Sequence, residues 1–216
     1  MSAQRTVIAL LSLLLALSSL HASSAEELAH EGEVAFYHQN YIEAQKALSA
    51  ASEQGSVQSS YFLGIMSLRG LGVPANYKEA VRIFRTGAQK SHPESQVALA
   101  VMMIEGIGTP QDYVQAANLL TSAAKGGNPD AQLLLGWVFK NGIGVRENKM
   151  IAYALWNYVA AQGNDWARFN RDAMFYQMSE DEIYRAQDLS CNLPKLWNTI
   201  AQEHAKMRKY LRGIRK

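Results

Sequence analysis

The sequence predicts an all-α protein, a stack of antiparallel helix pairs, and three observations carry that expectation. Segments of the chain match at a fixed offset of 36 residues: Leu63 recurs as Leu99 and Leu135, and Ala80 as Ala116 and Ala152. Each unit holds two stretches of helical periodicity around a Gly-x-Gly, at Gly70 and Gly72, Gly106 and Gly108, and Gly142 and Gly144. A period of this size with two helix-like halves marks a stacked helical array. Large apolar groups in each unit sit beside small ones, as with Leu135, Phe139, Leu155 and Trp156 against Gly136, Ala152 and Ala160. Small next to large lets two helices approach closely and interdigitate.

The chain has 216 residues. Its start reads as a secretory signal over residues 1–25. Arg5 gives a positive beginning, Val7 to Leu17 is an apolar run, and Ser23-Ser24-Ala25 fits a small-residue cleavage site. The run of 11 residues is shorter than a bilayer-spanning helix needs. Cleavage would leave a chain starting near Glu26, expected in the bacterial periplasm and of a size for one domain. Cys191 is the only cysteine, so no internal disulfide forms and stability must come from packing. Cys191 is expected to be a buried helix residue.

Residues 26–55 read as a degenerate capping unit. Tyr41 and Ala44 match Tyr77 and Ala80, but the first helix, around Leu28 to Tyr37, lacks the glycine pair, and its connection shortens to Tyr37-His38-Gln39-Asn40. A terminal repeat is atypical because one face meets water. The full units follow at 56–91, 92–127 and 128–163, each reading as helix A, glycine loop, helix B. In the third, helix A covers Asp130 to Asn141 and helix B Lys149 to Gln162. The first glycine of each pair can take the left-handed conformation that ends helix A. Leu71, Ile107 and Ile143 between the glycines are expected to plug the loop onto the helix pair. Helix B ends at Gly55, Gly127 and Gly163, with Ser91 in that place once.

Residues 164–192 read as capping helices, Asp165 to Met178 and then Glu180 to Cys191. Ser179 and Glu182 are spaced as a capping box opening the second. Residues 193–216 form a basic amphipathic helix. Leu196, Ile200, Met207, Leu211 and Ile214 make its apolar stripe, with His204 in the gap, and Lys206, Arg208, Lys209, Arg212 and Arg215 supply charge. Residues 195–216 hold seven basic groups against one acid, Glu203, whereas residues 26–194 hold 13 against 18.

The third unit reads Asn-x-x-Ala-Gln-x-x-Leu-Gly-x-x-Phe-x-x-Gly-x-Gly-Val, then Ala-x-x-Trp-x-x-x-Ala-Ala-x-x-Gly. This resembles the Sel-1-like repeat, the longer relative of the tetratricopeptide repeat. The first unit matches closely; the second has Ala100 for the mid-helix glycine and Thr109 for the valine. The resemblance implies a right-handed superhelical solenoid of antiparallel helix pairs, with A helices lining the concave face. It also implies an adaptor that assembles protein complexes, here at the bacterial envelope. A subgroup linked with β-lactam binding or hydrolysis carries a cysteine pair in each repeat, and this chain has none, so that activity does not carry over.

By position, the concave face takes Tyr61, Ile65, Leu68 and Arg69, then Val97, Val101, Ile104 and Glu105, then Leu133, Trp137, Lys140 and Asn141. Val97 to Ile104 is apolar all round, which calls for burial on every side. Tight curvature, the C-terminal helix folding back, or a partner protein or peptide in the groove could each cover its open side. In the last case Trp137 is the natural anchor, and the rim charges Arg69, Glu105 and Lys140 set specificity. The basic helix has two readings, a cap on the last repeat or a contact with an anionic membrane surface or acidic partner. Nucleic acid is not expected, and the chain should be a monomer or weak oligomer.

No catalytic constellation, metal site or cofactor is expected. His30, His38 and His92 stand apart near helix ends and turns, and His204 belongs to an apolar stripe. The Gly-x-Gly lacks the Gly-Lys-Ser/Thr of a phosphate loop and recurs in every unit. Glu180, Asp181 and Glu182 open a helix, where its dipole favours acids.

Overall fold

A computed structural model describes residues 24–214, all of whose regular elements are helices. The expected leader falls almost wholly within residues 1–23, and these, with Arg215 and Lys216, lie outside the described residues. Contacts divide the chain into two compact units, Met1–Lys90 and Ser91–Lys216, where a single domain was the expectation. A repeat chain is held together by nearest-neighbour interfaces, so compactness parts at a repeat boundary.

The first unit contains α1 (residues 24–37), α2 (Tyr41–Glu53), α3 (Val57–Arg69) and α4 (Tyr77–Gln89). Its centre is Ala44, Leu48, Phe62 and Met66, with Phe36 edge-on to Phe62 at 5.1 Å. The second unit contains α5 (Pro93–Glu105), α6 (Tyr113–Lys125), α7 (Pro129–Asn141), α8 (Lys149–Ala160), α9 (Asp165–Phe175), α10 (Glu180–Cys191) and α11 (Leu193–Ile214). Trp156, Phe139, Leu135, Leu120 and Leu155 are fully buried there.

The repeat geometry recurs bond for bond. Gly70, Gly106 and Gly142 end helix A in the left-handed region, at φ 70°, 73° and 66°. The amides of Leu71, Ile107 and Ile143 then reach back to the carbonyls of Met66, Met102 and Val138 at 3.0, 2.9 and 3.0 Å, which satisfies acceptors the helix end leaves open. Helix B is capped by Asn76, Asp112 and Asn148, whose side chains accept from Glu79, Gln115 and Ile151 amides at 3.1, 2.9 and 3.1 Å. The same three caps donate their own amides to helix A, to the carbonyls of Ser67, Met103 and Phe139.

The second glycine of the pair does a different job. A Cβ on Gly144 would stand 2.1 Å from the Tyr113 carbonyl oxygen, and one on Gly72 would stand 2.8 Å from the Tyr41 Cβ. This is where one repeat's loop meets the start of the preceding helix B. Within a pair, a glycine of helix A receives an aromatic of helix B: a Cβ on Gly64 would meet Phe84 at 2.5 Å, and one on Gly136 would meet Trp156 at 2.4 Å. The second repeat carries Ala100 and Leu120 at these positions, both buried, so the added methyl is matched by a smaller partner.

Several expectations are corrected. Cys191 is exposed: it is the last residue of α10, turned away from the buried side set by Ala186, Leu189 and Ser190. Ile107 is 38% exposed and does not plug its loop, whereas Leu71 packs against the core of the first unit. α9 ends at Phe175, three residues early, in a turn closed by Gln177 and Met178 amides on the Met174 and Phe175 carbonyls. Val97 to Ile104 is not buried all round, since Val101 is 38% exposed while Ile104 is buried.

Candidate partner-binding surfaces

On α3, Tyr61, Ile65 and Leu68 are half-buried and Arg69 is exposed. The Tyr61 ring stands 5.6 Å from Phe62 and 6.0 Å from Phe84. On α5, Val97 is half-buried, and Val101 and Glu105 face solvent. Ile104, placed on the open face by position, belongs to the core. On α7, Leu133, Trp137 and Lys140 are half-buried and Asn141 is exposed. α5 packs directly against α7, which brings the Val101 and Trp137 columns onto neighbouring helices of one unit.

Several of these residues are already engaged, Leu133 and Trp137 through their backbone and Asn141 and Lys140 through their side chains. The Leu133 carbonyl accepts from Trp156 Nε1 at 3.1 Å, and the Trp137 carbonyl accepts from Asn141 Nδ2 at 2.7 Å. The Lys140 ammonium lies 5.8 Å from the centre of the Trp156 ring, a cation–π distance. Lys140 therefore serves the helix pair as well as the rim.

The C-terminal helix is built in two halves. Asn192 caps α11, accepting from the Lys195 amide at 3.1 Å. Leu196 and Ile200 are fully buried, and Glu203 and His204 are nearly so. α11 crosses α6 and α8, and His204 stands edge-on to Phe139 of α7 at 6.2 Å between ring centres. Thr121 Oγ1 donates its one proton to the Ala117 carbonyl at 2.8 Å, so at the 2.9 Å contact His204 Nε2 donates to Thr121. Burial holds His204 below the usual histidine range, Arg208 adds to the effect, and Glu203 opposes it. Of the readings left open, the first half of α11 is thus a cap, seated on the side of helices B rather than over Val101.

Beyond His204 the helix is solvated. Lys206, Arg208, Lys209 and Arg212 are exposed, Tyr210 is 65% exposed, and Met207 and Leu211 are half-buried. Arg215 lies outside the described residues. Lys206 pairs with Glu203 at 2.7 Å. Arg146, Lys206, Met207 and Tyr210 line a hollow of about 380 Å³.

His92 and Glu182 have structural roles. His92 caps α5, its Nδ1 accepting from the Ser95 amide at 3.3 Å, and burial lowers its pKa against the pull of Glu94. Ser179 and Glu182 form the capping box, and the Ser179 amide on the carboxylate lowers the pKa of Glu182. Among the described residues no three His, Cys, Asp or Glu converge as a metal would require. No described helix is long and apolar enough to cross a membrane.

The Sel1 repeat profile matches residues 57–92, 93–128 and 129–164, half of the chain and the same segments whose caps and glycines superpose by register. The chain belongs to the Sel1 repeat family. It is similar in structure to c5321 of uropathogenic Escherichia coli, described as a protective antigen displaying an SLR fold. There the TM-score is 0.65 at 25% identity, over 78% of this chain and 36% of that one. It is also similar to a Sel1 repeat protein of Oxalobacter formigenes, with TM-score 0.54 and 31% identity over 58% of this chain and 95% of that one. This Sel1 chain thus spans about a third of the length of c5321. No curated protein matches it. Sel1 repeats are scaffolds of the protein-interaction type, typically without catalytic function.

Sequence reasoning missed one surface. The first unit has a cleft of about 460 Å³ between α2 and α4, floored by α3. Its signal was a set of serines, Ser49, Ser52, Ser60 and Ser67, at columns that 72 residues later are Thr121 and Ala124 in the second repeat and Gln132 and Phe139 in the third.

Proposed function

We propose that this Sel1 protein is an exported scaffold of the bacterial envelope that binds a protein or peptide through the exposed columns of its A helices. The supporting observation is that Val101 and Glu105 on α5 and Trp137 and Asn141 on α7 reach solvent at matching positions on two packed helices. An aromatic anchor beside an aliphatic, with charges at the rim, is the make-up of a protein-binding patch. Tyr61, Ile65 and Arg69 of α3 are the same columns of the first repeat and belong to the same reading. The proposed compartment, the periplasm, rests on the leader-like residues 1–25.

Photocrosslinkers at 101 and 137 in intact cells, read by mass spectrometry, test the surface. A defined adduct from position 101, lost in Trp137→Ala while that variant keeps its melting temperature, supports it. No adduct at either position contradicts it. So does Trp137→Ala falling in stability like Leu135→Ala, a loss of about 2–5 kcal/mol. Fractionation and N-terminal sequencing of the mature protein test export.

A second reading has its own support, the four exposed cations and Tyr210 on the outer half of α11. Near an anionic bilayer each cation contributes about 1 kcal/mol before screening. Flotation with phosphatidylglycerol vesicles, lost when Lys206, Arg208, Lys209 and Arg212 become Gln, favours tethering. Unchanged flotation removes it.

A further inference from the structure

Two clefts of this chain are copies of each other, and one is occupied. Shifting α2, α3 and α4 by 72 residues gives α6, α7 and α8. The backbone bonds agree across that shift: the Asn76 amide meets the Ser67 carbonyl at 2.7 Å, and the Asn148 amide meets Phe139 at 2.9 Å. Gly72 lies against Tyr41 as Gly144 lies against Tyr113, and Gly64 receives Phe84 as Gly136 receives Trp156. Even a cross-helix link is kept in kind. Ser52 and Ser60 hydroxyls meet at 2.8 Å, where Gln132 Nε2 donates to the Ala124 carbonyl at 3.0 Å.

In the α6–α7–α8 cleft sits α11, with His204 on Thr121 and beside Phe139. There Leu135 and Val145 are 0% and 1% exposed. Their counterparts in the first unit, Leu63 and Val73, line the 460 Å³ cleft and are only half-buried. Leu63 and Val73 keep the aliphatic character of Leu135 and Val145 while the residues around them change. Phe139 becomes Ser67, Thr121 becomes Ser49, Ile151 becomes Glu79 and Ala154 becomes Arg82.

We propose that the α2–α3–α4 cleft docks an amphipathic helix of a partner protein, which places aliphatic side chains over Leu63 and Val73 and a large hydrogen-bonding aromatic between Ser49 and Ser67. The seated α11 says the occupant is a helix. The exchange of Phe139 for Ser67 says what it must bring: a ring's worth of space opens where His204 stands in the occupied copy, and Ser49 offers an acceptor at its edge. Glu79 and Arg82 already pair at 2.6 Å, so the occupant is neutral along that wall. A second copy's α11 is the poorer fit. Its imidazole leaves the Ser67 space unfilled, and its withdrawal would strip Phe139 and Thr121 of their His204 contacts at home. The cleft is separate from the Val101 and Trp137 columns and stands or falls independently of them.

The probe is a synthetic peptide of residues 193–212 carrying His204→Trp, titrated into the ¹⁵N-labelled full chain. The expected result is saturable shifts of the Ser49, Ser60 and Ser67 amides. Affinity should fall at least about ten-fold in Ser67→Phe, which fills the space, the scale on which losing one anchor weakens an interface. Should Ser67→Phe fail to fold, Ser49→Lys, which puts a charge at the rim, must give the same loss. The unmodified 193–212 peptide should bind at least about ten-fold more weakly than the Trp peptide. Shifts confined to α6–α8, no saturable shifts, affinity indifferent to the variants, or equal binding of the unmodified peptide would each overturn the proposal.

Discussion

Gly136→Ala and Trp156→Leu together should cost less than their separate costs combined, because the second repeat already carries the compensated pair as Ala100 and Leu120. A Cβ on Gly136 falls 2.4 Å from Trp156 Nε1 and 2.8 Å from Cδ1. The indole is fully buried and its N–H is committed to the Leu133 carbonyl at 3.1 Å. Overpacking of this kind costs about 1–3 kcal/mol, offset by up to about 1 kcal/mol from replacing a mid-helix glycine with alanine. Trp156→Leu alone empties part of the core, a loss of about 3 kcal/mol or more by comparison with large-to-small series. In the double variant the methyl added on α7 no longer meets a ring. The coupling should be favourable and of order 1–3 kcal/mol, the range for residues in contact. Urea unfolding of the four proteins, followed by circular dichroism at 222 nm, measures it. Additivity to within about 0.5 kcal/mol would refute the reasoning that this glycine exists to admit the indole.

The two glycines of one loop should behave differently. Gly142→Ala meets only the left-handed penalty of about 1–2 kcal/mol, whereas Gly144→Ala also drives a Cβ into the Tyr113 carbonyl and should lower the melting temperature by clearly more; equal shifts would contradict the repeat contact. Ser91 holds φ +62° where Gly55, Gly127 and Gly163 stand in the other repeats, so Ser91→Gly should stabilise by about 1 kcal/mol, seen as a higher urea midpoint. His204 has a folded-state pKa below its usual value of 6.5, so below that value the unfolded chain takes up more protons than the folded one. Its share of stability is present above pH 6.5, falls as pH drops toward the depressed value, and then levels. His204→Gln should flatten that part of the pH profile of unfolding, though His92, shifted the same way, keeps a residual slope.

Most of the architecture was legible because it is written redundantly. Three copies of one loop announced the glycines at φ near 70°, and a helix end with no Cβ is among the least ambiguous local signals. The Ser179–Glu182 box and the start of α10 were equally readable, since capping depends on neighbours in sequence. What failed depended on partners distant in sequence. The apolar run of α5 gave no sign that Val101 would stay exposed while Ile104 turned inward, because that depends on the rotation of one helix against α7. Cys191 misled for a related reason: an apolar residue one step past a buried Ser190 lies about 100° round the helix. The seat of α11 was half visible, in a histidine placed on an apolar stripe. Its use of Thr121 and Phe139, and the open twin of that seat, appear only when the helices are laid over each other by register.

Hydrogen–deuterium exchange, comparing the full chain with one ending at Asn192, tests most directly whether the repeats are equivalent frames that differ in what fills them. Loss of α11 should raise exchange in α6, α7 and α8, around Thr121 and Phe139, and leave α2, α3 and α4 as they were. Unchanged protection in α6–α8, or an equal rise in α2–α4, would contradict the account.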